Sequence, residues 1–330
     1  MGHLDRRCLL LIAAGSLLTA RSARAFRRIP RIALLGPDKR SDGETLLAAL
    51  RQGLDRLGLV DGRDLVILDR WAEGNLTELP SLAAELIASH VDLVVTAGTP
   101  ATLAARNADP TVPIVMVGVE YPNILQGDGS RHPGGNLTGL SLDSSELTSE
   151  RLRILQQLVP QLDRTAVILR DEPGVEFAID GIRRDAGRIG LNVAELTVTS
   201  GQTIERAFVW VRNNHCRALY FASGPLGSIK QAKVIELATA ARVAVVYPFG
   251  AFTAHGGLVS VAADKNELFR RAADFVNKLL NGAKAADLPV AQPTTFELVI
   301  NLAAARAIGV AIPKALLARA DAVIDRSPGS

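Results

Sequence analysis

Cysteine is almost missing from this chain: Cys8 and Cys216 are the two among 330 residues. No disulfide framework follows from that count, and Cys216 reads as a small buried hydrophobe because it directly precedes the apolar run 218–222. Histidine is sparse. His90, His132, His215 and His255 lie far apart, without metal-ligand spacing. The chain has no G-x-S-x-G elbow and no phosphate-binding P-loop. Gly134-Gly135 lacks the strand-then-helix setting of a dinucleotide fingerprint. Ser141, Ser144 and Ser145 have no evident base partner. The expectation is a protein that is not an enzyme and uses no metal or cofactor. Long apolar runs are missing too: the stretch 8–18 is too short to span a bilayer.

That stretch has another reading. Arg6 and Arg7 precede it, and Ala23-Arg24-Ala25 places small residues at both positions a signal peptidase needs. Residues 1–25 are therefore read as a secretory leader, and the location as periplasmic. The leader holds Arg6, Arg7, Arg21 and Arg24 against Asp5, which accounts for the formal charge of +3 on the whole chain. The mature chain is about neutral, so charge gives no support to nucleic-acid binding. Cleavage also leaves Cys216 as the one remaining cysteine.

What is abundant is a strand-to-helix alternation. Strands are expected at 32–35, 65–68, 91–96 and 114–117, with helices at 44–57, 79–89 and from Pro100. Leu46, Leu47, Leu50, Leu54 and Leu57 recur at helical spacing, and Gly58 closes that helix. Residues 121–139, rich in Pro and Gly, break the pattern and read as the approach to an interdomain crossing. The pattern then restarts. Helices are expected at 150–159, 175–189, 203–213 and 229–241, with strands at 166–169, 191–198, 218–221 and 243–246. A strand at 258–261 and a helix at 266–281 follow. The fold class is α/β, with two doubly wound parallel-sheet lobes.

In open parallel sheets, ligands sit outside the carboxyl ends of the strands. That rule selects Gly36, Pro37 and Asp38; Ala97, Gly98 and Thr99; and Gly118, Val119 and Glu120 in the first half. In the second it selects Asp171 and Glu172; Ser223 and Gly224; and Tyr247 and Phe249. Gly98 allows close backbone approach, Thr99 is placed to cap the following helix, and Pro100 suits its first turn. Free N–H groups there attract a carboxylate, although a plain strand-to-helix turn would look the same. Asp171, Glu172 and Glu120 suit a ligand cation or a solvated loop. Tyr247 and Phe249 suit an aromatic wall or hinge packing. Trp71 reads as packing.

Several motifs carry a family resemblance: Arg51-Gln52-Gly53-Leu54, Arg70-Trp71-Ala72-Glu73-Gly74, Gly98-Thr99-Pro100-Ala101, RHPGGNLTG over 131–139, and QPTTFELVIN over 292–301. Together they resemble the ABC-transporter substrate-binding proteins that include tryptophan- and tyrosine-type binders, which have a type I periplasmic-binding-protein fold. The resemblance implies a three-segment hinge, with lobe one at 31–140 plus 258–287 and lobe two at 141–257 plus 288–325. It implies a monomer that closes on a small carboxylate-bearing solute, an amino acid or aromatic acid, and delivers it to an inner-membrane ABC permease. A membrane sensor is the alternative partner. The turns Arg170-Asp171-Glu172-Pro173 and Ser223-Gly224-Pro225 depart from the family pattern, so ligand identity does not carry over.

Overall fold

The computed structural model describes residues 28–119, 135–142, 144–171, 175–199, 201–222 and 231–325. The leader assigned to 1–25 lies outside these residues. So do Glu120, Glu172, Ser223 and Gly224.

The first half builds β1 (Arg31–Gly36), α1 (Arg40–Arg56), β2 (Val66–Trp71), α2 (Leu79–Ala88), β3 (Leu93–Ala97), α3 (Gly98–Ala108), β4 (Ile114–Val119) and β5 (Leu137–Ser141). Its strands form one parallel sheet in the order β2-β1-β3-β4-β5. Then come α4 (Ser145–Leu158), β6 (Arg164–Arg170), α5 (Val175–Arg188), β7 (Asn192–Val198), α6 (Gly201–Asn213), β8 (Ala218–Phe221), α7 (Gln231–Ala241), β9 (Ala244–Tyr247), α8 (Gly250–Ala254) and β10 (Val259–Ala263). The chain ends with α9 (Lys265–Leu280), β11 (Phe296–Asn301), α10 (Leu302–Ile308), α11 (Lys314–Leu317) and β12 (Ala322–Ile324). The second sheet runs β12-β11-β10-β9-β8-β6-β7, with β10 and β11 antiparallel.

Both faces of each sheet are covered, which is why the strands read as continuous apolar runs. In β1, Ile32 and Leu34 share a core with Leu50 and Leu54 of α1 and Phe269 and Val276 of α9. The alternate residues Ala33 and Leu35 face Leu79, Ala83 and Leu86 of α2 and Ala101 of α3. In β6, Val167 and Leu169 belong with Leu152 and Leu155 of α4. Ala166 and Ile168 meet Phe208 of α6 and Val234 of α7. Cys216 is buried in that second cluster, as expected. Helix α1 ends as expected at Gly58 (φ 76°), with the Leu59 N–H returning to the Leu54 carbonyl.

The structure differs from the sequence reading in two places. The broken stretch 121–139 was expected to lead only to a crossing, yet its end enters β5, the fifth strand of the first sheet. Gly139 hides that strand, because glycine is a poor strand former. It is needed there: its φ is 134°, and a Cβ would lie 2.0 Å from the Met116 carbonyl oxygen of β4. The second difference concerns residues 258–263, expected in lobe one. β10 pairs with β9 and β11, so it belongs to the second sheet. The chain returns to the first lobe only at Asp264, where α9 begins and packs on α1. The apolar strand carries no mark of which sheet it joins; its partners decide.

Segments running between the sheets lie side by side. Ala291 exchanges backbone hydrogen bonds with β5, donating to Gly139 and accepting from Ser141, each at 2.9 Å. The Asp264 N–H donates to the Thr295 carbonyl at 3.2 Å. Substituting Gly139 with Ala is expected to lower stability by roughly 3 kcal/mol, from steric overlap plus an unfavourable φ. A urea titration would show a lower midpoint; an unchanged midpoint would contradict the close approach.

Candidate ligand-binding cleft

The carboxyl ends of β1, β3 and β4 line one edge of the first sheet, since the three strands are parallel neighbours. β1 ends at buried Gly36, then Pro37 is half-buried and Asp38 is exposed. Beneath this turn lies Trp71, 8% exposed, with its indole N–H on Asp69 at 2.9 Å. A Cβ on Gly36 or Gly43 would strike the Trp71 ring, at 2.1 and 2.3 Å. Trp71 therefore packs, as the sequence reading favoured, and it does so directly under the turn that carries Asp38.

Helix α3 starts at Gly98, and Ala97 occupies the cap position without a side-chain cap. The expectation that Thr99 caps the helix is not met. Thr102 organises the turn instead: its hydroxyl donates to the Gly98 carbonyl at 2.8 Å and lies 2.7 Å from the buried Thr96 hydroxyl. The first-turn N–H groups of Gly98 and Thr99 have no acceptor within the helix. Gly98 sits beside Gly118: a Cβ on Gly98 would lie 3.9 Å from the Gly118 oxygen. Ala97 and Val119 are buried, so neither side chain is presented to a ligand.

Between the sheets lies a cavity of about 500 Å³. It takes Asp38 from the first lobe and Gln231, Phe249, Gly250 and Ala251 from the second. Ala262 and Ala263 at the end of β10 and Leu142 and Asp264 on the crossings line it too, with Lys265 and Asn266 at the start of α9 and Glu297 of β11. Of the residues selected from sequence, it brings together Asp38 and Phe249. Gly36, Pro37, Ala97, Gly98, Thr99, Gly118, Val119 and Asp171 are not among those lining it. Asp171 is exposed at the end of β6. Lys265, Glu297 and Gln231 were missed. The strand-end rule, applied to β10, selects Asp264 and Lys265 directly; the strand expected at 258–261 stops two residues short and was not among those the rule was applied to.

Two aromatic readings separate. Tyr247 is 1% exposed and stacks on Phe252 at 4.6 Å between ring centroids, so it belongs to the lobe-two core and not to a cleft wall. Alternation would place residues two apart on one face; what separates them is that the strand ends at Tyr247, and Phe249 lies beyond it in the turn before α8. Phe249 remains in the cavity, with the Lys265 ammonium 5.9 Å from its ring centre. Its turn is anchored from below. Arg151 of α4, 5% exposed, donates to the carbonyls of Val261 (2.8 Å) and Pro248 (3.4 Å) and to the Tyr220 hydroxyl (2.9 Å). One guanidinium thus ties β8, the end of β9 and β10 together, a task its planar fork of donors suits.

Arg151→Met leaves those acceptors without this donor. It is expected to lower stability by about 3 kcal/mol, with Arg151→Lys losing less; equal stability of Met and wild type in urea would refute this. Burial also pushes the Tyr247 phenol above its ordinary value of 10.0. The unfolded chain loses that proton near pH 10 while the folded chain keeps it. Stability from this group is therefore complete below about pH 10 and falls as pH rises further. Tyr247→Phe should flatten that alkaline fall in a series of melting curves, and an identical slope in both proteins would exclude the assignment.

Comparison with known proteins places this architecture. A family profile described as ABC transporter substrate binding protein matches residues 44–324. A tyrosine-binding protein of Clostridioides difficile (strain R20291) is 23% identical over 257 residues, 76% of this chain and 72% of that protein. A conserved domain protein of Vibrio cholerae has a TM-score of 0.73 at 23% identity, covering 90% of this chain and 100% of its own. An ABC domain from Streptococcus pneumonia solved with L-Trp has a TM-score of 0.71 at 24% identity, covering 89% and 99%. The fold is the two-lobed type I periplasmic-binding-protein fold. Members of such a family bind small-molecule solutes for a membrane permease and act outside the cytoplasm rather than as enzymes. Among the described residues no helix is long and apolar enough to cross a membrane. The chain belongs to the ABC transporter substrate-binding protein family.

Proposed function

We propose that this protein serves an ABC importer from the periplasm, reached through the leader at 1–25, and works as a monomer. It captures a small carboxylate-bearing solute, an amino acid or aromatic acid, between its lobes. The observation that carries this reading is the interlobe cavity, which has walls from both lobes and a floor made of the crossing segments. A solute touching both walls stabilises the closed arrangement by contacts made only there. The Gly98–Thr99 turn, at the same sheet edge as Asp38, offers backbone donors to the acid group as the lobes approach. Asp38 and, at the edge of the second lobe, Asp171 are available to a ligand ammonium. The relatives that bind tyrosine and L-Trp support the amino-acid class.

The mature protein, refolded once to strip carried-over ligand, is to be screened by thermal shift against amino acids, aromatic acids, purines and sugars. A ligand at a thousandfold over its Kd adds about 4 kcal/mol, so a hit within the amino acids or aromatic acids is expected to be plain. A shift confined to sugars or purines would overturn the solute class. Thr99→Trp is expected to abolish the shift; full affinity in that variant would remove the Gly98–Thr99 turn from the site.

A further inference from the structure

The described lining of the interlobe cavity is unbalanced in charge. Asp38, Asp264 and Glu297 contribute carboxylates, and Lys265 is the one cationic side chain among these residues. Asp264 is already engaged. Its Oδ1 accepts from the Glu267 N–H at 3.1 Å, and its Oδ2 lies 3.5 Å from the Arg270 guanidinium. Lys265 forms no ion pair with any of the three; its ammonium rests on the Phe249 face. That contact crosses between the lobes, since Lys265 opens α9 on the first and Phe249 precedes α8 on the second. A ring face is a weak partner for an exposed ammonium, worth far less than an anion brought into a desolvated site.

We infer that Lys265 sets the charge of the solute, as the cationic contact for its acid group, and that Phe249 offers its ring face to the flat apolar part of the same molecule. This rests on the interlobe cavity being the ligand site. Backbone donors at Gly98 and Thr99 greet any anion, whereas Lys265 contributes a full positive charge that can offset the neighbouring carboxylates of Asp38 and Glu297 only where an acid group meets it directly. An aromatic carboxylate satisfies both residues at once: its acid group draws the ammonium from the ring, and its own ring takes the vacated face. Lys265 and Phe249 lie on different lobes, so one ligand touching both ties the lobes together.

The test uses benzoate as probe, with benzamide as its uncharged counterpart of the same shape. The mature protein is labelled with 4-fluorophenylalanine, and the Phe249 signal is assigned by its loss in Phe249→Leu. Benzoate is expected to move the Phe249 fluorine resonance saturably, and benzamide to leave it in place. Lys265→Met should weaken the benzoate response about tenfold or more, and Lys265→Arg should keep most of it. Lys265 is exposed, so melting curves of these variants are expected to match the wild type. Equal responses to benzoate and benzamide, no response to benzoate, or an unweakened response in Lys265→Met would overturn the inference. A thermal-shift hit alongside any of these would leave the solute-binding reading standing and remove only Lys265 from it. No benzoate response together with no hit in that screen would remove both.

Discussion

How closely α9 lies against α1 governs the cleft. A Cβ on Gly53 would stand 2.2 Å from the Arg270 carbonyl oxygen, so the two helices meet backbone against backbone there. Phe269 and Val276 of α9 reach the face of the first sheet because of that approach. The start of α9 is then held at the cavity, with Asp264 capping it and Lys265 one residue further. A larger residue at 53 would push α9 outward along its length, and the position of Lys265 would shift with it.

The second lobe meets the cavity through a different device. Its half-buried aromatic, Phe249, follows a buried one, Tyr247, by two residues. Pro248, between them, offers its carbonyl to the buried Arg151. The ring at the surface is thus carried on a turn whose backbone is tied into the core. Binding sites mounted on such supports lose less freedom when a ligand arrives. The first lobe uses Trp71 for the same purpose, wedged under the Gly36–Asp38 turn between two glycines that leave it room.

Much of this was legible in the chain itself. β1 reads as an unbroken apolar run because both of its faces are covered, and α1 shows its leucines at helical spacing because one face is. The strand-end rule led to Asp38 and Phe249 with no knowledge of tertiary structure. Pairing was not legible. β5 contains a glycine demanded by its neighbour Met116, which looks like a break when the neighbour is unseen. β10 could join either sheet on composition alone, and ending it at 261 left Lys265 beyond the strand-end rule. Tyr247 and Phe249 are both aromatic and two residues apart, yet burial divides them, and burial depends on what packs opposite.

The order in which the chain visits its lobes has a temporal side. β1 to β4 come early, but α9, which covers one face of their sheet, is made after every strand of the second lobe up to β10. The pairing of Ala291 with β5 comes later still. During synthesis the apolar face of β1 therefore waits for a helix more than two hundred residues downstream. Neither lobe can mature as an independent early unit, and such long-range closure slows folding. Both sheets therefore stay incomplete until the chain beyond residue 264 has been made.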